Sequence, residues 1–147
     1  MTFIKGGIPI KTEKIIIPAI CFEEIVEHGR SNLPYEVCGL LSGNKNNVQS
    51  VWKLVNEIKS DRRYFVGKKV VEETFKQINK QKEKVIAIYH SHPTTKPIPS
   101  SYDLVNHIDD EIVMVIISYK FKKPKIKCYR IEAGAYEECI YLIEPTS

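Results

Sequence analysis

The 147-residue chain lacks any apolar run long enough to cross a bilayer. Its longest, Ile112 to Ile117, is six residues, where a spanning helix needs about 20. The N-terminus, Met1-Thr2-Phe3-Ile4-Lys5-Gly6-Gly7, lacks an apolar core followed by a small-residue cleavage site, so no export signal is read there. A cytoplasmic protein with no membrane partner is expected. Cysteine is scarce: the four are Cys21, Cys38, Cys128 and Cys139, and no two form a CxxC pair. Reduced, buried thiols are the expectation for such spacing in a reducing compartment. Charge of neither sign dominates, the net being +4. Lysines crowd at Lys120, Lys122, Lys123, Lys125 and Lys127 around Pro124, with only Phe121 and Tyr129 as aromatic neighbours. A nucleic-acid face interleaves aromatics over a wider basic surface. The cluster is read as a solvated hairpin turn, with an acidic partner surface as the other reading. Repeats, low-complexity tracts and linkers are also missing, which leaves a single domain over residues 1–147. Hydrophobic content of 43% and charged content of 27% are ordinary for a chain with a real core.

What is present reads as alternating elements. Lys14 to Ile17 forms a short strand, and Pro18 suits the first turn of a helix, where its missing N–H costs nothing. Cys21, Phe22, Ile25 and Val26 share a face of that helix. His28 and Gly29 read as its end, with the histidine against the last carbonyls and the dipole. Glu36 to Ser42 and Val48 to Val55 read as a hairpin turning at Gly43-Asn44. Asn56 to Gly67 is a polar, basic loop with a short strand around Tyr64-Phe65-Val66. Lys68 to Lys80 is helical, with Val71, Phe75 and Ile78 at i, i+4 and i+7. Val85 to Tyr89 is a β-branched buried strand. Thr94 to Pro99 holds two prolines and is irregular. Ser100 or Ser101 caps a helix reaching about Asp109. Glu111 to Tyr119, Lys125 to Ile131 and Ala135 to Ile143 are three more strands. The order predicts an α/β or α+β chain, a mixed sheet flanked by helices.

The chemistry gathers at the end of the 85–89 strand. His90 and His92 stand one residue apart, so they point the same way if the strand persists. Asp103 can add a carboxylate from the following helix. Two imidazole nitrogens and one carboxylate oxygen, with a position left for water, is the composition of a catalytic zinc site. Ser100-x-x-Asp103 is also a capping-box pattern, which explains both residues without a metal. Glu36 is an acid within apolar residues, either at an exposed strand end or buried for a purpose. Cys38 would share the face of Glu36 and is read as a buried core thiol rather than a ligand. His107 falls four residues after Asp103, on the same helix face, and is read as an exposed histidine outside the site.

His90-x-His92, seven residues, Ser100, two residues, Asp103 resembles the signature of the JAMM (MPN+) metalloprotease family. Leu33-Pro34-Tyr35-Glu36-Val37-Cys38-Gly39-Leu40-Leu41-Ser42-Gly43 is similar to the upstream segment that carries the family's glutamate in short prokaryotic members. The match runs, more loosely, from about Ile15 to about Ser118. The resemblance implies a curved mixed sheet with helices packed against it, similar to the cytidine-deaminase fold. It implies one catalytic zinc ion on His90, His92 and Asp103, Glu36 as general acid and base, and Ser100 as donor to the developing oxyanion. The implied substrate is an amide bond after the C-terminal Gly-Gly of a ubiquitin-like protein or a ThiS/MoaD-like sulfur carrier. The 56–67 loop, with Arg62, Arg63 and Tyr64, is then a candidate edge and clamp for that tail, against an ordinary surface loop. A metallopeptidase or amidase acting on an unrelated small peptide, and a non-catalytic scaffold of the same fold, are the alternatives.

Overall fold

The computed structural model describes residues 14–145. The Met1 to Gly7 stretch read above for an export signal lies outside them. The elements are β1 (Ile15–Pro18), α1 (Ala19–Arg30), β2 (Cys38–Asn44), β3 (Asn47–Leu54), α2 (Lys68–Lys80), β4 (Lys84–His92), α3 (Ser101–Val105), β5 (Val113–Ser118), β6 (Lys125–Glu132), β7 (Ala135–Cys139) and β8 (Tyr141–Glu144). All eight strands join one mixed sheet in the order β7-β6-β5-β4-β2-β3-β1-β8. β7 and β8 take its two ends although only Ile140 separates them in the chain. The sheet therefore curls until its edges nearly meet. No described helix is long and apolar enough to cross a membrane.

Burial explains the strand sequences. β5 is apolar at five consecutive positions because both its faces are covered, as expected of a strand paired in parallel with β4. On one face Val113, Val115 and Ile117 join Ala87, Tyr89 and the α1 residues Cys21 and Ile25. On the other, Met114 and Ile116 meet Tyr129, Ile131 and Leu104 of α3. A separate cluster of Cys38, Leu40, Leu54, Ile88 and Tyr64 lies under Ile78 and Phe75 of α2. Ala87 and Tyr89 of β4 thus face α1 while Ile88 faces α2; before the register shift against β2 the sides are exchanged, Ile86 joining the α1 side and Val85 the α2 side. His90 and His92 continue the Ile88 row.

Several boundaries differ from the sequence expectation. The β2–β3 reversal sits at Lys45-Asn46, because Asn44 still pairs with Asn47 and Lys45 takes the left-handed conformation, φ 54°. Residues 56–67 contain no strand; Glu57 N–H donates to the Phe65 carbonyl, and Ile58, Phe65 and Gly67 N–H donate to side chains. α3 ends at Val105, so His107 lies beyond it. The expected 135–143 strand is two strands, split where the chain passes from one edge of the sheet to the other. α1 runs through Gly29 to Arg30. Gly29 does not terminate it: a Cβ there would lie 2.2 Å from the Tyr119 hydroxyl, which donates to the Val26 carbonyl at 2.6 Å. The glycine admits that ring against the helix.

Candidate metal centre

β4 extends through His92, so both imidazoles project from one face at the sheet end, one pleat apart. Asp103 arrives from the first turn of α3. Ser100 caps that helix: its Oγ accepts the Asp103 N–H at 3.1 Å, and its own N–H donates to Asp103 Oδ2 at 2.9 Å. The capping box and the acid are one device, since the bond that starts the helix also aims the carboxylate. Asp103 Oδ2 lies 3.0 Å from His90 Nε2 and 3.1 Å from His92 Nε2. Ligand atoms of the three residues fall within 4.8 Å of one another, and all three residues are buried.

The hydrogen bonds show what this arrangement is built to take. His92 Nδ1 lies 2.8 Å from the Lys96 carbonyl. A carbonyl only accepts, so Nδ1 carries the proton. In the neutral ring Nε2 is then a lone pair, and it points at a carboxylate oxygen. A cation between the ring nitrogen and the carboxylate oxygen satisfies that contact. Burial lowers the His90 pKa, Asp103 partly opposes that, and His92 and His107 lower it further. Burial pushes the Asp103 carboxyl up, but the two imidazoles and the Ser100 N–H outweigh it and keep the group well below its ordinary range. His90 Nε2 and Asp103 Oδ1 are buried with no hydrogen-bond partner. Two imidazole nitrogens beside an ionised carboxylate form a donor set suited to one divalent ion.

Glu36 precedes β2 by two residues rather than lying within it. Pairing nevertheless continues past the strand end, since Ser91 N donates to the Val37 carbonyl at 3.0 Å and Val37 N to Ser91 Oγ at 2.8 Å. Cys38 opposes His90. Carrying that register back two residues sets Glu36 beside His92, on the face of the ligands. Glu36 is 2% exposed and its Oε1 is buried without a partner. Burial, then the negative charges of Asp103 and Asp61, push its pKa up to about 9. A buried carboxyl with an unused oxygen and a shifted pKa beside the three clustered residues marks Glu36 as part of the candidate site.

Cys38 is fully buried but does not join the ligand set. Burial raises its thiol to about 12, so it stays protonated and serves as floor for a cavity of about 160 Å³ lined also by Leu40, Ile88, Tyr64 and Tyr102. His28 does not bond the last carbonyls of α1; its Nδ1 shares a hydrogen bond of 2.7 Å with the Tyr89 hydroxyl, tying the helix end to the strand that carries the histidines. His107 is not an exposed helix residue: it is half-buried beyond α3, and its Nε2–H donates to the Ile112 carbonyl at 2.7 Å. Tyr64 stacks on His90, ring centroids 5.1 Å apart. An aromatic embedded in a polar loop was the visible signal for it. Lys96 and Asn56 left no such signal, because one acts through its carbonyl and the other through loop backbone.

A family model described as prokaryotic homologs of the JAB domain (Prok-JAB) matches residues 18–132. The desampylase of Pyrococcus furiosus is 28% identical over 90 residues, covering 61% of this chain and 64% of that protein, just under two thirds of its length. The CysO-cysteine peptidase of Mycobacterium tuberculosis is 25% identical over 134 residues, 88% of this chain and 92% of that one. The solution structure of DSY2949 from Desulfitobacterium hafniense superposes with a TM-score of 0.82 at 27% identity, covering 90% of this chain and 94% of its own. The matched span holds all five residues of the site, Glu36, His90, His92, Ser100 and Asp103, and the chain belongs to the prokaryotic JAB-domain (JAMM) family.

Proposed function

We propose that this chain is a zinc-dependent peptidase that hydrolyses the amide bond after the C-terminal Gly-Gly of a ubiquitin-like or ThiS/MoaD-like sulfur-carrier protein. The observation that carries the reading is the buried convergence of His90 Nε2, His92 Nε2 and Asp103 Oδ2, with His92 Nδ1 held at the Lys96 carbonyl. His90, His92 and Asp103 would hold the ion. When bound, zinc supplies Lewis acidity, polarising a carbonyl and bringing the pKa of a coordinated water to about 7. The relatives named desampylase and CysO-cysteine peptidase support the substrate class.

The residues divide the remaining work. Glu36 is the neutral acid in the metal-free site; beside a bound cation the carboxylate form would be favoured, and Glu36 then accepts the proton of the attacking water and delivers it to the leaving amine. Ser100 uses a lone pair on the Asp103 N–H, so its hydroxyl proton is left to donate to the carbonyl oxygen as negative charge develops. Lys96 O fixes the His92 tautomer, and the Tyr64 ring holds the plane of His90.

Zinc content and turnover test the reading together. The protein as purified should hold one zinc ion and release an aminocoumarin from a carrier ending in Gly-Gly. His92→Ala should lose both. Full zinc occupancy in that variant removes the metal assignment, and an inactive zinc-loaded wild type against Gly-Gly amides removes the peptidase reading.

A further inference from the structure

Cys128 and Cys139 are directly opposed residues of the β6–β7 hairpin. The hairpin turns at Ala133-Gly134, both left-handed at φ 51° and 79°, and Glu132 pairs with Ala135 across it. A two-residue turn of this kind fixes the register of both strands. Opposed residues put their side chains on one face of the sheet, and both cysteines belong to the apolar cluster under α1. Both are free thiols, Cys128 fully buried and Cys139 8% exposed. Cys21 instead sends its Sγ–H to the Gln49 carbonyl, and Cys38 lies in the cluster under α2. The pair therefore stands apart from the other two cysteines. It also lies on the face of Val115, which opposes Cys128, whereas His90 and His92 continue the Ile88 row on the other face.

The geometry suits a bond that opens as readily as it closes. Opposed residues of an antiparallel pair stand about 4.5–5.5 Å apart at Cα, inside the span of about 4.4–6.8 Å that a disulfide bridges. Their Cβ atoms stand about 4.5–5.5 Å apart, at or beyond the separation of about 3.5–4.5 Å in a relaxed disulfide. Closing the bond draws β7 toward β6, and a bond held under such tension is readily reduced. The two thiols are also unequal. The hydrogen bond from Cys128 holds the Cys139 thiol below its ordinary pKa against burial; the Arg130 charge adds to the lowering, while Glu137 and Glu138 oppose it. That same bond, and then burial, push the Cys128 thiol well up. The lowered thiol is also the more exposed one. It sits on the end strand of the sheet, where residues 135–138 are all exposed. Cys139 is thus placed to attack and Cys128 to resolve.

We propose that Cys128 and Cys139 form a reversible dithiol–disulfide site that is oxidised by hydroperoxides and then locks the β7 edge of the sheet. The Cys139 sulfur attacks the hydroperoxide: an S–O bond forms, the O–O bond breaks, and the leaving oxygen departs as water or alcohol with the Cys139 proton. The Cys128 sulfur then attacks the resulting sulfenic acid. An S–S bond forms, the S–O bond breaks, and the hydroxyl leaves as water with the Cys128 proton. The two sulfurs together lose two electrons and the hydroperoxide gains them. A small-molecule thiol reopens the bond by exchange and is itself oxidised to a disulfide. The free thiols of this structure are the reduced form. Because the pair and the metal ligands occupy opposite faces of the sheet, the site is independent of the peptidase reading.

The test treats the full chain with hydrogen peroxide and follows thiol count, intact mass and peptide linkage. Two of the four thiols should disappear, the mass should fall by two hydrogens, and the peptides carrying Cys128 and Cys139 should be joined until reductant is added. Reduced glutathione should restore all four thiols. Amide hydrogen exchange across Tyr136 to Glu138 should slow in the oxidised form, because the edge strand can no longer part from β6. Cys128→Ala should leave Cys139 as a sulfenic acid that a dimedone probe captures, whereas Cys139→Ala should leave Cys128 unreacted. The wild-type map decides the pairing whether or not either variant folds. Four free thiols after a treatment that fully oxidises glutathione refute the site. So does a link through Cys21 or Cys38, or one that forms only in urea, where the register is lost. A Cys128–Cys139 bond that glutathione cannot reopen refutes its reversibility, and unchanged exchange in β7 refutes the lock. Probe capture at Cys128 rather than Cys139 overturns the assignment of the attacking sulfur.

Discussion

Glu36 carries a proton at neutral pH in the metal-free protein, and that has a measurable consequence for stability. Its folded pKa of about 9 lies above the ordinary 4.5, so between those values the folded state holds a proton the unfolded state has released. Stability from this group is fully present below about pH 4.5 and is lost as pH rises through about 9, with a slope of up to about 1.4 kcal/mol per pH unit. Urea unfolding of chelator-treated wild type and Glu36→Gln should show the wild type falling relative to the variant across that window. A pH-independent gap between them would mean that Glu36 is not buried as a neutral acid. His28 has the opposite sign. Burial and then Lys53 depress its pKa to about 4, so its contribution is present above about pH 6.5 and lost as pH falls toward 4. In turnover, Glu36→Gln keeps the shape but cannot take a proton, and should lose about 10²–10⁴-fold in kcat with zinc content unchanged. Ser100→Ala should lose about 10²–10³-fold with one oxyanion donor gone. A Glu36→Gln enzyme that turns over at the wild-type rate assigns the proton transfer to another group, His107 being the first to examine.

At the scale of elements, α1 and the 56–67 loop each depend on one residue whose reason lies elsewhere in the fold. Gly→Ala inside a helix ordinarily stabilises by about 0.5–1 kcal/mol. Gly29→Ala should instead destabilise by about 1–3 kcal/mol, because the new methyl overlaps the Tyr119 ring. A more stable variant in urea would show that the ring moves aside freely. Asn56 makes four hydrogen bonds that close the loop and hold the Glu36 carbonyl. Asn56→Ala should cost about 1–3 kcal/mol and raise amide hydrogen exchange at Ile58 and Phe65. Asn56→Asp keeps the acceptor for those two amides and should protect them better than alanine does. Equal exchange in the two variants would remove the acceptor from the account.

For the molecule as a whole, metal and fold are coupled but not inseparable. The apolar clusters on the two faces of the sheet do not include the ligands, so a chelator should abolish turnover while circular dichroism stays close to that of the holo form. Thermal unfolding should stay cooperative at a lower Tm, since zinc binds the folded state alone. Loss of the far-ultraviolet signal on chelation would show instead that the ion holds the sheet end together.

The ligands, the cap and the buried acid were legible in the chain because their chemistry is local or periodic. His90-x-His92 reads from strand alternation, Ser100-x-x-Asp103 from helix capping, and β5 from its unbroken apolar run. Beyond the motif resemblance, no such rule brought Glu36 beside them. Glu36 and His90 stand 54 positions apart, and only the antiparallel β2–β4 register, Cys38 opposite His90, puts the acid next to the ligands. The same holds for the split of residues 135–144 between opposite edges of the sheet, since closure belongs to the whole sheet and not to that segment. It holds for Gly29, which looks like a helix stop until Tyr119 arrives from β5's end. The loop of residues 56–67 shows the limit most clearly. Its composition announced charge and an odd tyrosine, but its shape comes from Asn56, Ser60 and Glu57 bonding backbone groups that no strand or helix claimed. Residue types and spacing determine which groups can do chemistry, whereas long-range pairing decides which of them meet, because register is set by burial across the whole sheet.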